Sequence, residues 1–237
     1  MINSNRGFTL IEILIASAIS LIVLASIMLA IDSAQKSSTG IERKITAQQD
    51  ARLALEIMEM EIRMASYNPT FASGIWQTTT CSGAAANQNY RGIQEATANS
   101  LTVEMDINDA AGTGSGDGIL GDPNETIRYN YVITSGNQYI TRETNCGGGQ
   151  PFLGDSIVGG RPRTVRVINN DLNNLPIFRY YDGTGTEILP ANLPASIPNI
   201  RSVEITLAVE TEEIDPGTGQ GRRMVYSTLV IARNHAI

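Results

Sequence analysis

Glu12 is the one charged residue in the 24-residue run from Phe8 to Ile31, FTLIEILIASAISLIVLASIMLAI. A carboxylate at bilayer depth is expensive and persists where something compensates it, so Glu12 either snorkels to an interface or faces a cationic partner. Other groups able to do chemistry are few. The single histidine, His235, is third from the C-terminus, where a frayed end is expected, and only two cysteines, Cys81 and Cys146, are present. Those counts give poor support to a zinc site with several Cys or His ligands or to a Ser-His-Asp arrangement. Between Glu104 and Glu125 stand six acids and five glycines with no Lys or Arg. Within it, Asp106, Asn108 and Asp109 set oxygen ligands at the short spacing a hard cation such as Ca2+ accepts, although no Gly or bidentate Glu falls at the EF-hand positions. The other reading is a solvated acidic loop. A catalytic pair of carboxylates has no nucleophile or electrophile motif beside it.

The elements that must position these residues follow from length and hydropathy. The run from Phe8 to Ile31 contains no Pro or Gly and as a helix would span roughly 36 Å, enough to cross a ~30 Å hydrocarbon core. It is too long for the apolar part of a cleaved secretory signal. Only MINSNRG precedes it, and the positive charge of Arg6 favours keeping that leader in the cytoplasm with the rest of the chain outside. A net charge of −7 and a pI near 4.8 argue against a surface that tracks phosphates, so no nucleic-acid partner is expected.

The heptapeptide Gly7-Phe8-Thr9-Leu10-Ile11-Glu12-Ile13 resembles the class III signal of type IV prepilins and pseudopilins. That resemblance implies cleavage by a prepilin peptidase after Gly7 and N-methylation of Phe8. It makes Glu12 the fifth residue of the mature chain, facing the terminal amine of a neighbouring subunit. A carboxylate and a methylammonium can neutralise each other in apolar surroundings where either alone would be prohibitive.

Beyond a polar stretch, Ile41 to Tyr67 resumes with helix formers. Ile41, Ile45, Gln48, Arg52, Leu55, Met58, Ile62 and Ala65 recur at steps of three and four, which predicts an amphipathic continuation with Gly40 as its weak point and Asn68-Pro69 as its stop. A helix from Phe8 to Ser66 would be roughly 88 Å long. The strings Asp50-Ala51-Arg52-Leu53-Ala54-Leu55 and Glu61-Ile62-Arg63-Met64-Ala65-Ser66-Tyr67 resemble PilW-like minor pilins and the related J-type pseudopilins of type II secretion, with Ser66 replacing a commoner small residue. So does the ending with Arg233-Asn234.

After Pro69 the pattern turns to β-branched and aromatic runs between Gly, Asn, Asp and Pro. Strands are expected at Leu101–Ile107, Thr126–Thr134, Gln138–Glu143, Thr164–Ile168, Ile177–Tyr181, Ser202–Glu210 and Arg223–Ala232, with hairpin turns at Ser135-Gly136-Asn137 and Asp182-Gly183-Thr184-Gly185. Long Gly-rich loops are expected at 112–121 and 147–160. The fold class is α+β: a leader (1–7), a membrane-spanning helix (8–31), its amphipathic continuation (32–67) and an antiparallel β-rich head (68–237), the lollipop arrangement that pilins imply. A head in an oxidising compartment with an even cysteine count predicts a Cys81–Cys146 disulfide, against two free buried thiols.

The leading functional reading is a non-enzymatic minor pilin, held first in the inner membrane with its head in the periplasm and then in a filament, at low copy near the tip. Its implied partners are the prepilin peptidase, major and other minor pilins and the inner-membrane assembly platform. The alternatives are a J-type minor pseudopilin and a membrane-tethered periplasmic enzyme or binding protein. No resident cofactor is expected apart from the Ca2+ reading of the acidic loop.

Overall fold

The structure is a computed structural model and describes residues 7–134, 136–155, 157–158, 161–212, 214 and 219–236. The chain forms two compact units, Met1–Lys44 and Ile45–Ile237. In the first, the described residues are the non-helical 7–9 and the start of helix α1 (Leu10–Met64), which runs without interruption through Gly40. Its most apolar window has a mean hydropathy of 2.7, and none of that window is buried within the chain.

In the second unit the rest of α1 shares one hydrophobic core with two antiparallel sheets. The buried helix residues are Ala47, Ala51, Ala54, Leu55, Met58, Glu61 and Ile62. The expected stripe is thus right in its C-terminal half and misplaced before it: Ile45 is 47% exposed, and Arg52 is exposed with its guanidinium 5.9 Å from the centre of the Tyr226 ring. Small side chains allow close approach of the helix backbone, so alanines occupy the seam and bulkier residues are left outside.

The helix ends earlier than Asn68-Pro69 would stop it. Ser66 adopts a left-handed φ of +66°, and its N–H leaves the helix to donate to Glu104 O at 2.9 Å. Gly92 is required at this crossing, because a Cβ there would lie 2.2 Å from Ser66 N and 2.5 Å from Glu104 O.

The first sheet is a meander of β1 (Ile93–Ala96), β2 (Ser100–Glu104), β3 (Thr126–Thr134), β4 (Asn137–Thr144) and β5 (Gln150–Leu153), in that spatial order. Register pairs Leu101 with Tyr129 and Tyr131 with Ile140, which keeps the apolar sides of three strands on the core face. A short ladder joins β6 (Ile157–Val158) and β7 (Arg161–Pro162). The second sheet contains β8 (Val165–Val167), β9 (Phe178–Tyr181), β10 (Glu187–Ile188), β11 (Ser202–Thr211) and β12 (Arg223–Ile231). Its order is β10-β9-β11-β12, with β8 also pairing β11.

On β11, Val203, Ile205, Leu207 and Val209 are buried while Glu204, Thr206 and Glu210 are partly exposed, as a half-buried strand requires. Ala208 departs from the alternation: it is covered where its N–H donates to Asn169 Oδ1 at 2.8 Å and its carbonyl accepts from Ile168 N at 2.8 Å. The β9–β10 hairpin turns on Asp182, whose Oδ1 accepts from Thr184 N, Thr184 Oγ1 and Thr186 N. Of the other expected turn, Ser135 lies outside the described residues and Gly136 has a φ of +81°. The segment 147–160, expected as a loop, contains β5 and β6.

Candidate functional site

The Gly7–Ile13 heptapeptide meets the helix at Thr9. Gly7 and Phe8 are non-helical and exposed; residues 1–6 lie outside the described residues. Thr9 precedes the first helical residue, and its N–H and Oγ1 both donate to Glu12 Oε2, at 2.8 and 2.9 Å, while Glu12 N donates back to Thr9 Oγ1 at 3.3 Å. This is the reciprocal capping box of a Thr-x-x-Glu start, in which a carboxylate in the first turn also meets the positive end of the helix dipole. Glu12 therefore has donors in its own chain, and only the remaining charge calls for a cation from elsewhere. Thr-x-x-Glu was visible in the sequence as a capping signature, but the apolar context directed attention to an intermolecular partner instead.

Along the apolar run every serine hydroxyl is satisfied within the helix. Ser17 donates to Leu14 O, Ser20 to Ala16 O and Ser26 to Ile22 O, so the run presents almost pure hydrocarbon to its surroundings. The side chains from Leu10 to Ile31 are exposed, and the chain itself offers them no core.

Among the residues expected to act in the head, Cys81 and Cys146 are joined by a disulfide that ties segment 67–92 to the turn after β4. Asp106, Asn108 and Asp109 serve three separate turns: Asp106 Oδ2 accepts from Gly118 N, Asn108 Oδ1 from Gly114 N, and the Asp109 carboxylate from Thr113 N and Oγ1. Bonds from Thr113 hold the Asp109 carboxyl below its ordinary range. Glu125 is fully buried and accepts four backbone N–H groups, those of Ile107, Asn108, Gly121 and Asp122. Among the described residues no three Asp, Glu, His or Cys side chains are grouped as a metal would need. The acidic segment is thus buried at its ends, at Glu104, Asp106 and Glu125, and exposed through most of residues 110–124. Its carboxylates stand in for the hydrogen-bonding ladder that a loop of five glycines lacks.

Three polar groups to which the sequence assigns no such role, His235, Glu61 and Glu104, organise the head. His235 is fully buried instead of frayed. Its Nε2 lies 2.9 Å from Ile197 O and its Nδ1 2.8 Å from Ser66 Oγ. A carbonyl can only accept, so Nε2 carries the proton and Nδ1 accepts from the Ser66 hydroxyl, which in turn accepts from Gly92 N at 3.1 Å. Burial pushes the imidazole down to about 4, which keeps it neutral in this role. Glu61 on α1 receives the Tyr129 hydroxyl and the Arg142 guanidinium, the latter at 2.6 Å, joining the helix to β3 and β4. Glu104 is buried with Oε2 accepting from Gln94 Nε2 and Gln77 N while Oε1 has no partner among the described residues; burial raises its carboxyl to about 7. The C-terminal histidine gave no sequence signal beyond its apolar neighbours, because its partner is 169 residues away.

Residues 2–28 match the family model of the prokaryotic N-terminal methylation motif. Comparison of the chain with curated proteins and with solved structures finds no match. The matched segment covers the Gly7–Phe8 junction, Glu12 and most of the exposed apolar run, so the N-terminus carries a prokaryotic N-terminal methylation motif on a helix long and apolar enough to cross a membrane.

Proposed function

We propose that this protein is a non-enzymatic structural subunit, a minor pilin that enters a type IV pilus at low copy near the tip and helps start assembly. The observation that carries the reading is the methylation motif set on a capped helix whose apolar side chains have no partner in their own chain. A prepilin peptidase cuts between Gly7 and Phe8, and the freed, methylated amine of one subunit meets Glu12 of the next. Thr9 holds the Glu12 carboxylate in place beforehand, so the pairing sets register between subunits without first ordering a free side chain. A low-copy position near the tip is favoured by the size of the head and by its Gly-rich segment at 112–121, which would crowd an array repeating at a small rise.

The test is to count this subunit against the major pilin in sheared filaments and to compare Glu12→Ala with wild type. The proposal expects a few copies per filament, fewer filaments after gene deletion, and reduced recruitment with Glu12→Ala. Stoichiometry equal to the major subunit, or unchanged filament number in both strains, contradicts it. Co-purification with type II secretion pseudopilins and no filament defect would instead assign the J-type role.

A further inference from the structure

The head contains a cavity of about 750 Å³, within the size range of small-molecule sites. Its lining includes Phe71, Trp76, Gln88, Arg91, Arg201 and Asn234, and no Asp or Glu lines it. In a chain with 24 acidic residues and a net charge of −7, two arginines line this cavity without a carboxylate among its lining, Arg201 standing also at the edge of a neighbouring cavity lined by Asp182 and Glu187. Neither arginine makes an ion pair among the described residues. Arg201 commits one nitrogen, Nη1, to the carbonyls of Pro198 and Ile200 at 2.8 Å each, which fixes the plane of the group and leaves its other nitrogens available. Both charges bear on buried His235, whose partner Ser66 also lines the cavity.

Two further observations point to a bound molecule. Gln88 donates through Nε2 to Trp76 O, which fixes its amide orientation, and its Oε1 is buried with no donor among the described residues. The missing partner is a hydroxyl or N–H. Backbone strain also gathers here: Ser66, Phe71 and Arg91 all line the cavity with left-handed φ values of +66°, +55° and +54°. Such conformations persist in non-glycine residues where the surroundings over-determine them, commonly at ligand clamps. The walls are held in advance by the Cys81–Cys146 disulfide, the Gln77 N–H to Glu104 bond and the Gly92 N–H to Ser66 bond, which lowers the ordering cost of binding.

We propose that this cavity binds a carboxylate-bearing sugar, a hexuronate unit. Its carboxylate meets Arg91 and Arg201 in the forked geometry that guanidinium and carboxylate share. A ring hydroxyl supplies the donor that Gln88 Oε1 lacks, and the apolar C–H face of the ring lies against Trp76. A simple carboxylate satisfies only the first requirement and a neutral hexose only the last two.

Trp76 is the one tryptophan in the chain, so its fluorescence in the full-length protein in detergent micelles reports on this cavity alone. Galacturonate and glucuronate are titrated beside glucose, acetate, inorganic phosphate and a short neutral peptide with a free C-terminal carboxylate. The expected result is a saturable change with at least one uronate at a concentration tenfold or more below any change with the other four. Arg91→Ala should weaken that response at least tenfold, and Gln88→Leu should weaken it while leaving the unliganded emission spectrum in place. No saturable uronate response, equal responses to acetate, phosphate or glucose, or an unaltered response in Arg91→Ala would overturn the proposal. Tighter binding of the peptide than of either uronate would overturn it in favour of a peptide-terminus site.

Discussion

The two halves of α1 are built from similar residue types and solve opposite problems. From Leu10 to Ile31 most side chains are large and aliphatic, with Glu12 and several Ala and Ser between them, and all are exposed, Leu21 and Ile22 at 67% each and Leu29 at 72%. From Ala47 to Ile62 three of the seven buried residues are alanine, and Ala47, Ala51, Met58 and Ile62 have no exposed surface at all. Hydrophobicity therefore does not distinguish an internal seam from a surface made for another phase. What distinguishes them is periodicity: the second half has one narrow stripe, alanines first and Leu55, Met58 and Ile62 after them, flanked by charges, and the first is apolar nearly all round. A helix apolar on every side with no core of its own needs lipid or other helices around it.

Substitutions in the two halves should therefore separate cleanly. Met58→Ala removes a fully buried side chain from the core shared with both sheets and should cost roughly 3 to 4 kcal/mol, lowering the head's melting temperature by roughly 10 °C. Leu24→Ala, 57% exposed in the chain, should leave that temperature unchanged when followed by Trp76 fluorescence in detergent. If Leu24→Ala melts the head as severely as Met58→Ala, the two halves are not independent in the way described.

A smaller effect sharpens the same contrast, because the charges of the head are tuned by its own fold. The Glu104 carboxyl is raised to about 7 by burial, so the folded state prefers the protonated acid. Its contribution to stability is complete below the unfolded value of about 4.5 and is lost as pH rises through about 7. Between pH 5 and 8 the head should lose roughly 2 kcal/mol from this group. Glu104→Gln should remove most of that decline, as read from urea midpoints at the two pH values. His235 acts in the opposite sense: held neutral with its value lowered to about 4, it contributes above about 6.5 and is lost as pH falls through about 4. An alkaline decline that survives Glu104→Gln would show that the buried carboxylate is not its source.

Much of this arrangement was legible in the residues. Thr126–Thr134 occupies its expected bounds, and Ser202–Glu210 and Arg223–Ala232 shift by a single residue at one end, because β-branched alternation over nine or ten residues leaves little freedom of register. The strands that were not foreseen are short. Gln150–Leu153 follows three glycines and pairs through Ile140 and Arg142 of β4, a partnership that no local pattern encodes. The alanine stripe was missed because small residues carry little hydrophobic signal although they set the seam. At the candidate sites, Gly7, Phe8 and Glu12 were readable from a contiguous motif. The Ser66–His235 pair and the cavity beside it were not, since they join the helix end, the loop before β1 and the C-terminus only after folding.

The central claim is that the exposed apolar half of α1 is delivered to other subunits by removal of the leader, with Glu12 held ready by Thr9. Intact-mass measurement of the protein extracted from membranes addresses it most directly. The account predicts loss of residues 1–7 and the gain of one methyl group on Phe8; a mature chain that still begins at Met1 would contradict it.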